Sequence, residues 1–98
     1  MLTFEKVFEV FADYLKEDTA CEVIKTKRAY IIGLWEECCS EYEFLETYTT
    51  PEAMKARLIQ EYEGYLTYQI TKAIRDKLTA DERKYIDTKV KEMLDKFV

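Results

Sequence analysis

Three cysteines, a single serine and twenty carboxylates are the residues of this 98-residue chain that could do chemistry, and it holds no histidine. Without histidine the chain lacks the commonest general base and the commonest transition-metal ligand. Ser40 sits between acids with no base to activate it, so neither a Ser/His nor a Cys/His pair can be built. Cys21, Cys38 and Cys39 are odd in number and fit no zinc spacing. A bridge between the adjacent Cys38 and Cys39 is strained, so all three read as reduced thiols, with a redox role for the pair as the lesser reading. Paired carboxylates, Glu36 with Glu43 or Glu22 with Glu46, could shift one another's ionisation or hold a divalent ion. In a chain one-fifth acidic, such proximity is expected by chance. Two glycines, Gly33 and Gly64, cannot make a phosphate-cradling loop. The expectation is a protein that is not an enzyme, with no catalytic residue, cofactor or metal.

Charge gives a sharper pattern. The net charge is −5, unevenly spread. Residues 29–54 hold no Lys or Arg but six acids: Glu36, Glu37, Glu41, Glu43, Glu46 and Glu52. Such a block repels nucleic acid and anionic membrane and attracts a basic protein. No apolar run is long enough to span a membrane. The first eighteen residues carry acids throughout and lack a basic lead, so they do not read as a signal peptide, and a cytoplasmic location follows.

The elements that must position these groups follow from periodicity. Hydrophobic residues make up 48% of the chain against two glycines and one proline, which predicts one ordered domain over 1–98, rich in helix and poor in loops. A helix is expected over 3–17, with Phe4, Phe8, Phe11, Ala12 and Leu15 on its stripe and Val7 and Tyr14 at one margin. Residues 20–26, 29–36 and 42–48 are β-branched and aromatic and read as three antiparallel strands in a meander. A long helix is expected over 51–77, opened by Thr50 and Pro51, with Thr49 and Glu52 at capping-box spacing. At 1.5 Å per residue it would reach about 40 Å. Its apolar arc, from Met54 and Leu58 through Tyr62, Tyr65 and Leu66 to Ile70, Ala73 and Ile74, is wide enough for two partners. A last helix is expected over 80–97, capped by Thr79 and Glu82, with Ile86, Val90, Met93, Leu94 and Phe97 on one narrow stripe. The fold class is α+β in the order αβββαα: a small sheet on a long helix, closed by a helical hairpin.

Pairing the strands through their short turns puts Cys21, Val23, Ile32, Leu34 and Leu45 on one face. It puts Ile24, Ile31, Trp35, Tyr42, Phe44 and Tyr48 on the other, with Glu22 and Glu46 at its margin. Neither face is polar. Either helices cover both, or the aromatic one receives a partner. The interaction candidates are Ile31, Trp35, Tyr42, Phe44 and Tyr48 on the sheet and Tyr65 and Tyr68 on the long helix. The acidic-patch candidates are Glu36, Glu37, Glu41, Glu43 and Glu46.

The order helix, three strands, helix resembles double-stranded-RNA-binding domains in topology alone. Those domains open their second helix with a lysine cluster that grips phosphate. This chain reads Thr50-Pro51-Glu52-Ala53-Met54 there, so no nucleic-acid binding is expected. Three further stretches are similar to short uncharacterised proteins of gut Firmicutes and their mobile elements. They are Leu2 to Val7 with Val10 to Leu15, Tyr30 to Trp35, and Thr50 to Ala53. That resemblance implies a bacterial cytoplasmic origin and carries no activity. The leading expectation is a protein–protein interaction module that forms a homodimer through the long helix or the aromatic sheet face. The alternative is a small acidic inhibitor that mimics DNA and fills the basic surface of an enzyme through the 36–52 hairpin.

Overall fold

A computed structural model describes residues 1–98, and its elements run α1 (Phe4–Glu17), β1 (Cys21–Lys25), β2 (Tyr30–Glu36), β3 (Glu41–Tyr48), α2 (Pro51–Thr71) and α3 (Ala80–Asp95). The α+β class and the αβββαα order are as the sequence predicts. The strands form an antiparallel meander in the order β1-β2-β3.

Helix α1 starts where Thr3 accepts the Lys6 N–H and stops at Asp18. The face it buries is Phe11 of the predicted stripe, Val7 and Tyr14 from its predicted margin, and Val10, which the stripe left out. Phe4 and Phe8 lie half-buried beside it, their rings 4.3 and 4.9 Å from that of Tyr30. Ala12 is exposed. The helix is thus rotated so that its β-branched and tyrosine residues, rather than Phe4 and Phe8, point into the core.

The β1–β2 turn needs no glycine. The Thr26 hydroxyl accepts the N–H groups of Arg28 and Ala29 and donates to the Ala29 carbonyl. A side-chain hydroxyl here closes the turn. At the β2–β3 turn Ser40 supplies the left-handed residue, with φ 50°.

Helix α2 begins at the expected Thr50, which accepts the Ala53 N–H with Pro51 in the first turn, while Thr49 and Glu52 form no capping box. It continues without interruption past Gly64 and then stops six residues before the predicted end, at Thr71. Lys72 caps it in the left-handed region at φ 53°, its N–H bonded to the Tyr68 carbonyl at 2.7 Å, and Ala73 follows at φ 60°. Two consecutive non-glycine residues held there are strained. The segment that periodicity assigned to the helix is instead the link that folds α3 back. Ile74, expected on the apolar arc, is 87% exposed.

Helix α3 carries both halves of the Thr79–Glu82 capping box. It buries Ile86 and Met93, and Leu94 stays exposed. Arg75 in the link grips the Glu82 carboxylate with both guanidinium nitrogens, and Arg83 bonds Glu63 of α2 at 2.8 Å.

A single core of Val7, Val10, Phe11, Tyr14, Cys21, Tyr30, Ile32, Tyr48, Met54, Leu58 and Met93 joins the three helices to one face of the sheet. Helix α2 meets α1, β3 and α3, so its wide apolar arc does serve several partners, all within the chain. The result is a slab of 43 × 39 × 18 Å.

Candidate functional site: the uncovered sheet face

Register decides which side chains reach the outside. Cys21 stands opposite Leu34, Val23 opposite Ile32, Lys25 opposite Tyr30, and Tyr30 opposite Tyr48. These share the face that packs on the helices. The opposite set is Glu22 with Gly33, Ile24 with Ile31, Ile31 with Thr47, and Gly33 with Leu45. None of these belongs to the core, and Ile24 and Leu45 are 37% and 56% exposed.

An irregularity between Leu34 and Trp35 then changes the outcome. Leu34 pairs with Phe44, but Trp35 pairs with Tyr42, so Glu43 is an extra residue in β3. Such a bulge lets residues of one strand change parity. Tyr42 is thereby delivered to the outer face along with Leu45, while Phe44, Glu46 and Tyr48 take the inner face. The predicted faces are corrected accordingly. Phe44 packs under the Arg57 guanidinium, 4.3 Å from its ring centre, and Tyr48 is buried in the core. Leu45, assigned to the aliphatic face, belongs outside. A strict period of two has no way to show this, because the bulge leaves no glycine or proline in β3.

The centre of the outer face is Gly33. A Cβ there would lie 2.9 Å from a Leu45 methyl and 3.1 Å from the Tyr42 ring. The space left by the missing side chain is therefore filled by Leu45 and Tyr42. Tyr42 crosses the sheet from β3, over Gly33 of β2, and its hydroxyl donates to Glu22 of β1 at 3.4 Å. Partial burial first, then the Glu22 charge, push its phenol above the ordinary value. Trp35 meets Tyr42 edge-on, with ring centres 4.9 Å apart at 74°, and its indole N–H donates to Glu37 at 2.8 Å. Leu45 lies beside the pair across Gly33, and Ile24 and Ile31 continue the same face toward the other end of the strands. Two carboxylates border the face, Glu22 engaged by the Tyr42 hydroxyl and Glu37 by the Trp35 indole.

The other candidates are scattered. Tyr65 is half-buried against Tyr14 at 5.5 Å between ring centres. Tyr68 is 54% exposed on α2, remote in sequence and element from the sheet. Glu36 stands opposite Glu41 rather than Glu43, and Glu22 and Glu46 lie on opposite faces, so neither expected carboxylate pair forms. Glu36, Glu37, Glu41, Glu43 and Glu46 take part in none of the chain's ion pairs. No three Cys, Asp or Glu side chains come together as a metal site. No helix is long and apolar enough to cross a membrane.

Compared with protein-family models, curated proteins and solved structures, the chain matches none.

Proposed function

We propose that this protein is a non-catalytic protein–protein interaction module, and that its contact surface is the outer sheet face built on Trp35, Tyr42, Leu45, Ile24 and Ile31, which pairs with the same face of a second copy. The observation that carries this is one-sidedness: α1 and α2 pack on the inner face, with α3 behind α2, and a chain that is 36% charged leaves the centre of the outer face apolar, with the carboxylates of Glu22 and Glu37 at its margin. The largest apolar patch of a small protein is often a functional surface. Three strands about 4.8 Å apart and about six residues at 3.3 Å each give a footprint of roughly 300 Å². A standard interface takes about 800 Å² per partner, so the pairing is weak and exchanging. The self-contacts available to α2 are consumed inside the chain, which points away from the long helix. Light scattering on a sizing column over a concentration series tests the reading. The mass rises toward a dimer in the parent chain and stays monomeric in Trp35→Glu. A monomer at every concentration would remove self-association.

The acidic hairpin supports a second reading, an inhibitor-like protein that binds a basic enzyme surface. What favours it is that its carboxylates are all free of ion pairs. Binding of this kind weakens as salt rises. A Glu41→Lys, Glu43→Lys variant loses capture of a basic partner protein, and unchanged capture would sink the reading. The sequence resemblance adds a bacterial cytoplasmic setting to either proposal.

A further inference from the structure

Cys38 and Cys39 sit at the tip of the β2–β3 turn, both exposed, with their Sγ atoms 3.5 Å apart. Cys21, by contrast, is buried, and burial followed by the Asp18 charge pushes its thiol up to about 12. The chain therefore offers solvent one close pair of thiols and no other.

Three kinds of chemistry use two neighbouring thiols, and the geometry separates them. A disulfide is disfavoured, because adjacent Cα atoms stand only about 3.8 Å apart, nearer than disulfides ordinarily bridge. A structural zinc ion needs four protein ligands, and no group of even three converges here. What remains is a centre that bridges two sulfurs and needs no further protein ligand. With bonds of about 2.3 Å, as in metal–thiolate sites, sulfurs at this separation subtend about 100°. That is the angle of a pyramidal trivalent centre. The surrounding Glu36, Glu37 and Glu41 repel anionic thiol reagents and leave neutral ones unaffected.

We propose that Cys38 and Cys39 are a dithiol site for neutral trivalent arsenicals. An organoarsenous acid, R–As(OH)₂, condenses with the two thiols to give R–As bonded to both sulfurs. Two As–O bonds and two S–H bonds break, two As–S bonds form, and two waters leave. Arsenic stays trivalent, so no oxidant or reductant is required. Hydrogen bonding with Cys38 first, then partial burial and the Glu36 charge, raise the Cys39 thiol, so it meets the reagent protonated and supplies the proton that leaves with water. The second sulfur adds within the same molecule, which strengthens the adduct by roughly 10²–10⁴-fold over one thiol. The site also touches the outer face, because Glu37, next to Cys38, accepts the Trp35 indole N–H.

The probe is phenylarsine oxide, added to the reduced full chain with excess 2-mercaptoethanol and followed by intact mass. One phenylarsenic group per chain is expected, retained by Cys21→Ser and lost, by at least about 100-fold in affinity, from Cys38→Ser and from Cys39→Ser. Removal from the parent chain by the monothiol, or retention in either turn variant, overturns the site. Trp35 emission is expected to change with the same one-to-one stoichiometry. Emission that does not move would overturn the link to the sheet face.

Discussion

Gly33 does its work by what it lacks. With no Cβ, it lets Tyr42 and Leu45 lie down across β2, so an aromatic ring from an edge strand reaches a carboxylate on the far strand. The sequence shows the glycine, the tryptophan and the tyrosine, and periodicity places Ile24, Ile31 and Trp35 on the outer face correctly. It misplaces Leu45, Phe44 and Tyr48 because the extra residue Glu43 has no signature in its type. A β-branched side chain at position 33 must push aside a leucine methyl and the edge of an aromatic ring. Gly33→Val should therefore cost about 1–3 kcal/mol in chemical denaturation, as overpacking does. It should also shift Trp35 emission in the folded state, since the Tyr42 ring that meets Trp35 is displaced. An unchanged denaturation midpoint would show that Tyr42 is free to leave the face.

Among the elements, starts were legible and one stop was not. Thr50 and Thr79 announce two of the helices and each does cap in the structure, as Thr3 does for the first, where the sequence reading began the helix itself. Nothing announces the end of α2, because Lys72 and Ala73 are ordinary helix formers and the apolar pattern continues through Ile74. Tertiary contacts override propensity there: α3 folds back, and the Arg75–Glu82 grip and the Arg83–Glu63 bond hold it. Arg75 first, then the Thr79 N–H, holds the Glu82 carboxyl down at about 2, against an ordinary 4.5. A carboxyl depressed by folding stabilises fully above its ordinary value and loses that contribution as pH falls through the depressed one. The acid limb of stability should thus include a fall between about pH 4.5 and 2 that Glu82→Gln flattens, read as the urea midpoint against pH. A parallel fall in both proteins would assign the acid limb to other groups. The left-handed residues give a prediction of opposite sign. Ala73→Gly relieves a strain of about 1–2 kcal/mol and adds about 0.5–1 kcal/mol of unfolded-chain entropy. The net expectation is a gain of about 0.5–1 kcal/mol, and a loss would mean that the Ala73 methyl makes contacts that matter.

At the scale of the whole molecule, the slab is two layers deep, and one core serves both. Leu58 sits at the middle of it, fully buried, so Leu58→Ala should cost about 2–5 kcal/mol. A cost under 1 kcal/mol would mean that the helical layer and the sheet are less tightly joined than their shared core implies. The helical layer's geometry has one more consequence, and it lies at the break after Thr71. Lys72 and Ala73 are left-handed where the chain turns to bring α3 back onto α2. If both revert to right-handed backbone, α2 lengthens by about two turns, as its apolar pattern invites, and α3 is carried outward. The groove it vacates is the same in every copy, so two extended chains can each lodge α3 on the other. The Arg83–Glu63 bond is then made between molecules, and the backbone tension is gone from both. Such an exchange of arms would pair two chains independently of the sheet face, with the left-handed backbone at Lys72 and Ala73 as the tension it releases.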